Sequence, residues 1–434
     1  MAEQDVDIAA FSDDEVVDLT VDDEDWDDIE DFSDLEQDLE ETTAEDSRRG
    51  KDMQGIPWDR MQFSREHYRD TRLEDYRNYL NLKDEVDAHQ EELVQECLST
   101  QKGGKFFHFY RNSRSVKSTI VHFQLRNLLW ATSKHDLYFM HDHCVKHWNS
   151  LTRQTTEVMD LSGGSSRSFA PGLGRVVVST LCVQDNLVAA GGFNGDLVIR
   201  NTSQQEPVCS MRVTTNDNGI TNAIEIFHPR TGGTRIMTAN NDQMVRLYDA
   251  AHFQVISGLH YDWAVNFAAV CPSNDSLVAV VGDDPVAQLT DLKTGKPAAA
   301  LKGHFDYSFA AAWHPDGNLL ATGNQDTTTR IWDIRQPGKS LAVLSGRMGA
   351  IRSLRFSSDG RFLAMAEPAD FVHVFDVKGG FHRSQEIDMF GEISGVCFSP
   401  QADKFFVGIA DATYSSLLQF NRHEHQSLQQ HGGL

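Results

Sequence analysis

The sequence predicts an all-β fold built from repeated four-stranded units, and three observations lead to this prediction. An apolar residue, one spacer and a Pro or Ser recur with their third positions 43, 43, 43 and 42 residues apart, at Pro229, Pro272, Pro315, Ser358 and Pro400. An aspartate that closes an apolar stretch recurs at nearly the same interval, at Asp249, Asp291, Asp333 and Asp376. Between these markers lie short alternating runs broken by Gly, Asn and Asp, which are typical of strands joined by tight turns. Units of this length and pattern are the blades of a β-propeller.

The repeat predicts seven blades between Lys105 and Arg422. The 318 residues of this span correspond to seven units of about 45 residues, which is the length of one blade. A circular sheet must also hide its first and last edges. The run KFFHFYRN, from Lys105 to Asn112, has no blade of its own, and we expect it to complete the last one.

The clearest copy of the repeat, GHFDYSFAAAWHPDGNLLATGNQDTTTRIWDIR from Gly303 to Arg335, resembles the repeat of WD-repeat proteins. The Gly-His pair, the Asp of the turn and the Trp-Asp end stand at that family's spacing. The resemblance implies a side-chain network inside the blade, formed by His304, Thr322, Asp326 and Trp332. Such a network is physically reasonable, because a buried imidazole and a buried indole N–H both need partners. A His beside an Asp can also indicate catalysis, but the repeat accounts for both residues without it.

Charge divides the chain into an acidic tail and a nearly neutral body. The first 46 residues carry 22 Asp and Glu and no Lys or Arg, whereas the rest of the chain carries 42 acidic and 39 basic residues. Such a tail repels itself and buries too little apolar surface to offset the entropy of ordering, so we predict that residues 1–54 are disordered. Its charge also argues against direct binding to nucleic acid, whose phosphates it repels.

A short apolar run interrupts the acidic tail. Its apolar residues Val16, Val17 and Leu19 and the acidic residues that follow, Asp22, Asp23, Glu24 and Asp25, resemble a SUMO-interacting motif. In that family an apolar strand adds to the edge of the modifier's sheet while the acidic residues meet its basic surface, which is the general physics of strand addition. The alternative is a chance apolar cluster within an acidic tail.

Residues 55–100 are expected to form a helical linker, since Pro57 can begin a helix and Glu, Arg, Leu, Tyr and Lys dominate after it. The stretch GIPWDRMQFSREHYRDTRLEDYRNYLNLKDEVDAHQEELVQEC, together with AEPADFVHVFD in the propeller, resembles a family of plant and fungal WD-repeat proteins, which implies the fold but little mechanism. Arginines and tyrosines alternate here, at Arg65, Tyr68, Arg69, Arg72, Tyr76, Arg77 and Tyr79. They indicate either RNA or phosphate binding or a surface helix whose aromatics pack on the propeller, and the acidic residues among them favour the helix.

The same stretch contains a candidate nuclear export signal that would bind an exportin. Its spaced apolar residues are Leu73, Tyr76, Leu80 and Leu82. Tyrosine is a poor residue for such a motif and this spacing is common in helices, so an ordinary helix is the alternative.

Other features indicate a soluble protein of the nucleus and cytoplasm that binds no membrane. The six cysteines are scattered, the N-terminus lacks the regions of a secretory signal, and no apolar run reaches the roughly 18 residues that cross a bilayer. We expect a flexible tail at residues 423–434. A cluster of His135, His141, His143, Cys144 and His147 has zinc-ligand residue types. Strand alternation sends His141 and Cys144 to opposite faces, so we expect neither a metal nor a cofactor.

Two functional hypotheses follow, because a propeller presents several loop surfaces around a rigid body although fold alone does not fix function. The first is a non-enzymatic scaffold or regulator that binds other proteins as a monomeric propeller. The second is a substrate receptor of a cullin-RING ubiquitin ligase. LLATGNQDTTTRIWDIR resembles the box with which propellers dock onto that ligase's adaptor, with Asp333 and Arg335 as docking residues. An enzyme is disfavoured because the sequence lacks a nucleophile elbow, a phosphate loop and a convincing metal set.

Overall fold

The computed structural model describes residues 41–75, 93–122, 124–163, 173–204 and 206–423. Its strands form five separate four-stranded sheets and one nine-stranded sheet, which comprises two further blades and the strands added to them. The prediction of an all-β, seven-bladed propeller is confirmed. Within these ranges, no helix has both the length and the apolar character needed to cross a membrane.

Short elements precede the blades and pack against them. They are β1 (Glu41–Thr43), α1 (Ala44–Arg48), a 3-10 turn (Trp58–Arg60), α2 (Arg65–Asp75), β2 (Gln101–Lys102) and β3 (Phe107–Ser113). Thr43 caps α1, because its hydroxyl accepts the N–H of Asp46 while the Asp46 carboxylate accepts the N–H of Thr43.

Strands β4 to β23 form the first five blades in chain order, four strands to a blade. Blades 1 and 2 contain β4 (Leu129–Ala131), β5 (Asp136–His141), β6 (Cys144–Asn149), β7 (Gln154–Asp160), β8 (Val178–Gln184), β9 (Leu187–Gly192), β10 (Asp196–Asn201) and β11 (Pro207–Arg212). Blades 3 and 4 contain β12 (Thr221–Phe227), β13 (Arg235–Asn240), β14 (Met244–Asp249), β15 (Gln254–His260), β16 (Val265–Cys271), β17 (Asn274–Gly282), β18 (Asp284–Asp291) and β19 (Pro297–Leu301). Blade 5 contains β20 (Ser308–Trp313), β21 (Leu319–Asn324), β22 (Thr328–Asp333) and β23 (Ala342–Ser345).

Blades 6 and 7 share one long strand. Blade 6 contains β24 (Ser353–Phe356), β25 (Phe362–Ala366), β26 (Ala369–Asp376) and the first half of β27 (Arg383–Phe398). The second half of β27 begins blade 7, which continues with β28 (Lys404–Ala410) and β29 (Ser416–Arg422). As predicted, the early strand β3 then pairs with β29, with Asn112 opposite Leu418, and so closes the ring.

Strand direction alternates within each blade, and this gives the propeller two distinct faces. The turns between second and third strands and the connections between blades lie at one end, which we call the upper face. The other turns lie at the opposite end, which we call the lower face. Apolar side chains fill the space between neighbouring blades. For example, Trp332 and Leu320 of blade 5 pack with Val281 and Leu289 of blade 4.

Residues 41–54 differ from the predicted disordered tail, and the boundary at residue 54 is wrong. Strand β1 pairs with β3, with Thr42 opposite Asn112, and this pairing satisfies backbone groups that a free tail would leave to water. The Gln54 side chain exchanges two hydrogen bonds with the backbone of Phe390. Charge is also matched here, since the Glu41 carboxylate lies 3.6 Å from the Arg111 guanidinium.

The predicted linker over residues 55–100 is only partly helical where the structure describes it. It contains α2 and a helical turn at 93–96, and the chain then runs extended along the outer strands of blades 5 and 6. Tertiary contacts with these outer strands override the helical composition of the segment. The predicted tail residues 1–40 and 424–434 lie outside the described ranges.

Candidate functional site

Blade 5 brings together His304, Thr322, Asp326 and Trp332 in its upper half. His304 lies in the connection that enters the blade. Its Nδ1 is 2.9 Å from a carboxylate oxygen of Asp326 and its Nε2 is 2.8 Å from the Thr322 hydroxyl. The Trp332 indole N–H donates to the same hydroxyl at 2.8 Å. Each buried polar group in this chain of contacts therefore has a partner, so the arrangement holds the turn between β21 and β22 in place.

The carboxylate at the centre of this network is stabilised as an anion. Burial by itself raises the pKa of Asp326, but the charge of His304 and the hydrogen bonds from His304 and Thr328 outweigh it and hold that pKa below its ordinary value. Asp326 also accepts the backbone N–H of Phe305 at 3.2 Å. These contacts make Asp326 an acceptor that ties the incoming connection to the turn, and they leave it without the raised pKa of a general acid.

Blade 6 holds its upper turn with different residues, which the sequence analysis did not single out. The buried carboxylate of Glu367 accepts three backbone N–H groups from the incoming connection, those of Arg347, Met348 and Gly349, at 2.7 to 2.8 Å. His373 in β26 completes the set, with its Nε2 2.8 Å from Glu367. The signal for this arrangement was present in AEPADFVHVFD, where an acidic turn precedes a His on the third strand.

Helix α2 lies on the upper face of blades 6 and 7 and is held there by its arginines. Arg69 donates to the carboxylate of Asp370 at 2.6 Å, and Arg72 binds both oxygens of the same carboxylate at 2.6 and 2.9 Å. Arg69 and Arg65 also bind Asp388, each at 2.7 Å. We call this group of five residues the arginine clamp. Asp370 is fully buried and Arg69 is 6% exposed, so the ion pair between them is largely desolvated, whereas the Arg65–Asp388 pair is partly exposed.

Aromatic packing supports the arginine clamp. The Arg69 guanidinium lies 4.1 Å from the ring centroid of Phe390 and 4.5 Å from that of Phe371, a cation–π geometry. Tyr68 packs against Phe390 and Trp58, with ring centroids 5.1 and 5.8 Å apart. In the described residues, the arginines and tyrosines of α2 therefore follow the second sequence interpretation, a surface helix packed on the propeller, and both the arginines and Tyr68 make contacts with it.

Two of the predicted motifs fall wholly or partly outside the described residues. Leu73 of the candidate export signal is half-buried against Met348 and Phe371, and Tyr76, Leu80 and Leu82 lie outside the described ranges. The candidate SUMO-interacting residues also lie outside them, namely Val16, Val17, Leu19, Asp22, Asp23, Glu24 and Asp25.

Asp333 and Arg335 lie at the lower face, at the end of β22. The Arg335 side chain is 67% exposed, and its guanidinium forks onto Asp333 at 2.8 and 2.7 Å. Hydrogen bonds from the side chain and backbone of Arg335, together with its charge, hold the pKa of Asp333 below its ordinary value. The pair is therefore a charged, solvent-facing feature on the side opposite His304 and Asp326.

The histidine cluster of blade 1 forms hairpin contacts. His147 lies 2.9 Å from Asp136, and His135 lies 2.8 Å from the Ser150 hydroxyl. Burial, with the charges of Glu157 and Asp160, raises the pKa of the Cys144 thiol to about 11, so the thiolate that would bind zinc is disfavoured. No three His, Cys, Asp or Glu side chains are placed to hold a metal ion in the ranges given above.

Comparison with known proteins identifies the repeat. The family model for the WD domain, G-beta repeat, matches residues 295–333, which end with β22 of blade 5. The translation initiation factor 3 subunit I of Drosophila grimshawi is 28% identical over 162 residues, which are 34% of this chain and 48% of that protein. The guanine nucleotide-binding protein subunit beta of Zea mays is 26% identical over 251 residues, or 53% of this chain and 62% of that protein.

Other matches are shorter or more distant. The telomerase Cajal body protein 1 of Mesocricetus auratus is 35% identical over 112 residues, which are 25% of this chain and 20% of that protein. A chain in a crystal structure of the mitotic checkpoint complex superposes with a TM-score of 0.57 at 16% identity, covering 71% of this chain and 93% of that one. This chain spans about half the length of the first of its sequence relatives. The resemblance to a plant and fungal family stays a prediction.

Proposed function

We propose that this WD-repeat β-propeller is a non-enzymatic scaffold or regulator that binds other proteins in the nucleus and cytoplasm. Its WD-repeat relatives generally act as protein-interaction scaffolds. The observation that carries the proposal is that the buried titratable groups of blades 5 and 6 are used in structural networks. Asp326 pairs with His304, Glu367 pairs with His373, and Asp370 forms ion pairs with Arg69 and Arg72. These side chains stabilise the body of the propeller, and we infer that its loops form the surface that binds other proteins.

The names of the relatives support the two compartments of the proposal. One is a Cajal body protein, which points to the nucleus, and another is a translation initiation factor subunit, which points to the cytoplasm. We propose that the acidic tail contributes a SUMO-binding strand at Val16, Val17 and Leu19. An exportin that binds the stretch from Leu73 to Leu82 would then connect the two compartments, and to do so it must displace Leu73 from its contacts with Met348 and Phe371.

Affinity purification with mass spectrometry tests the scaffold proposal. The intact chain is compared with a chain lacking residues 1–40, because a longer deletion would remove β1 from blade 7 and confuse loss of the tail with damage to the propeller. We expect one set of partners that needs the tail and another that needs only the propeller. Recovery of no stable partner by either folded chain would overturn the proposal.

The SUMO proposal has its own test. Val16→Ala combined with Leu19→Ala removes the apolar strand while keeping the acidic run, and we expect the pair of changes to abolish SUMO binding in a titration. The matched control replaces Asp27 and Asp28 with Asn, which lowers the charge of the tail without touching the apolar residues. Unchanged SUMO affinity after the Val16 and Leu19 changes would contradict the proposal.

A second candidate function, substrate receptor of a cullin-RING ligase, is favoured by the exposure of Arg335. An arginine fork at the surface can bind carboxylates or carbonyls of an adaptor, which Lys reproduces poorly. Arg335→Ala should remove the adaptor from pull-downs while Lys339→Ala, in the following loop, should not. Equal adaptor recovery by the parent and Arg335→Ala would leave only the general scaffold function.

A further inference from the structure

The first strands of the blades surround the axis of the propeller, where such folds have a central channel. A cavity of about 10 Å³ lies in this channel, lined by residues at the first strands of blades 3 to 6 and by the connection that enters blade 1. It has room for one species of about the size of a water molecule. Its lining includes Arg126, Arg352 and Arg355, and none of its described lining residues is acidic. Three arginine side chains therefore line one small space.

Arg126 is 2% exposed, and its guanidinium is only partly satisfied. Its Nη1 donates to the carbonyl oxygens of His122 and Leu125 at 2.8 and 3.1 Å. Its Nη2 lies 3.1 Å from the carboxylate of Glu392, whose side chain is 32% exposed. The Nε N–H is buried and has no hydrogen-bond partner among the described residues. Since an unpaired buried donor on a charged group costs free energy, this N–H indicates a place for an acceptor.

The other two arginines are held in position by neighbouring side chains. Arg352 donates to the side-chain oxygen of Gln325 at 2.7 Å, and its guanidinium lies 3.9 Å from the ring centroid of Phe309. Arg355 donates to the side-chain oxygen of Asn127. These three neighbours carry no charge, so the contacts orient the two guanidinium groups without adding a negative charge to the channel.

The titratable groups near the arginines provide little negative charge. Burial, together with the charges of Arg126 and Arg352, lowers the pKa of His122 to about 3, so its imidazole is neutral at neutral pH. Glu225 of β12 interacts with Arg355, but burial raises the pKa of Glu225 to about 8, so most of this carboxyl group is protonated. Buried charges in proteins are normally paired, and an anion in the cavity would provide the pairing.

We propose that the central channel is a binding site for one small monovalent anion of the size of chloride, held by Arg126 and Arg352. The anion accepts the Nε N–H of Arg126 and offsets part of the positive charge of the arginines. A cavity with room for one water-sized species excludes phosphate and the carboxylate of a peptide. Because the site exists only in the folded ring, the anion stabilises the propeller by mass action. This site is separate from the loop surfaces of the scaffold function.

Thermal unfolding of the full chain tests the site. Sodium gluconate is replaced stepwise by sodium chloride at constant ionic strength, because gluconate screens surface charge equally but is too large for the cavity. We expect the melting temperature to rise by about 2 °C for each tenfold increase in chloride above the dissociation constant. Arg126→Gln should lose this dependence. The matched control is Arg49→Gln, which removes a guanidinium that is 72% exposed, and it should keep the dependence.

A second measurement does not require a folded Arg126 variant. Crystals of the parent chain grown in sodium bromide should show one anomalous scattering peak in the cavity, beside Arg126 and Arg352. A cavity that holds only an ordered water would overturn the proposal. Equal chloride dependence in the parent and a folded Arg126→Gln chain would also overturn it, since the effect would then arise elsewhere. A bromide peak without any chloride dependence of the melting temperature would mean binding at crystal concentration only and would contradict the proposal as well.

Discussion

Blades 5 and 6 are neighbours in the ring, but they hold their upper turns in different ways. In blade 5 the carboxylate of Asp326 is bound by His304, which enters from the connection before the blade, and by Thr328. In blade 6 the turn carries two carboxylates. Glu367 is bound within the blade by His373, whereas Asp370 is bound by Arg72, which lies 298 residues earlier in the chain.

The difference shows how a degraded repeat can be stabilised. Blade 5 keeps the full His, Thr, Asp and Trp set, so the residues of its own repeat satisfy the polar groups of its upper turn, whereas its buried Arg330 pairs with Glu96 of the N-terminal segment. Blade 6 has Phe375 in β26 opposite Leu363 and no indole donor in that strand. Helix α2, which lies outside the propeller, provides polar partners for the buried carboxylate of Asp370 instead. We infer that the upper turn of blade 5 is stabilised locally, whereas that of blade 6 also depends on α2.

The largest expected effect is in blade 5. Trp332 is fully buried between blades 4 and 5. Trp332→Ala should lower the free energy of unfolding by about 3 to 5 kcal/mol, because it leaves a cavity and removes the donor to Thr322. Trp332→Phe keeps a buried aromatic ring, so it should lower the free energy of unfolding by clearly less than Trp332→Ala does. Urea denaturation measures both, and a cost below about 1 kcal/mol for the Ala variant would show that the blade does not depend on this side chain.

The next largest effect is in the arginine clamp. Asp370→Asn should lower the free energy of unfolding by about 2 to 4 kcal/mol, because it leaves the buried guanidinium of Arg69 with less compensating charge. Arg69→Met in the same background should recover part of this loss. Glu45→Gln is the matched control, since it removes one member of an exposed ion pair on α1 and should have little effect. Additive effects of the Asp370 and Arg69 changes would mean that the two residues are not coupled.

These two blades also show what a sequence can and cannot predict. The markers of the repeat fix the strands and the blade count, and the intact motif in blade 5 fixes which four residues meet. In blade 6 the long-range pairing of Arg69 with Asp370 was not predictable, because charge spacing on α2 does not specify which distant carboxylate it faces. The acidic composition of the first 46 residues likewise predicted disorder up to residue 54, since it gives no sign that β1 finds an unpaired edge on β3.

A smaller effect concerns pH. The pKa of Asp326 is lower in the folded protein than its ordinary value, so this carboxylate stabilises the fold above that ordinary value and ceases to do so as pH falls through the folded one. Asp326→Asn should cost about 1 to 3 kcal/mol at neutral pH. The difference in the free energy of unfolding between the parent and Asp326→Asn should become smaller once the pH falls below about 4. A difference that stays constant with pH would show that the charge on Asp326 does not contribute.

The smallest effect is expected at the lower face. Arg335 is exposed, and its guanidinium pairs with Asp333 at the end of its own strand. Arg335→Ala should leave the melting temperature nearly unchanged in a calorimetric scan, because exposed ion pairs contribute little to stability. A clear loss of stability would mean that Arg335 is a structural residue of blade 5, and its use as a docking residue would lose support.

Hydrogen exchange in a chain carrying Arg69→Met and Arg72→Met tests most directly whether α2 holds blade 6. Replacing both arginines releases Asp370 without altering any residue of the blades. We predict faster amide exchange in β26 and unchanged exchange in β21 and β22 of blade 5. Unchanged exchange in β26, or equal acceleration in both blades, would contradict the account that the two neighbouring blades are stabilised by separate means.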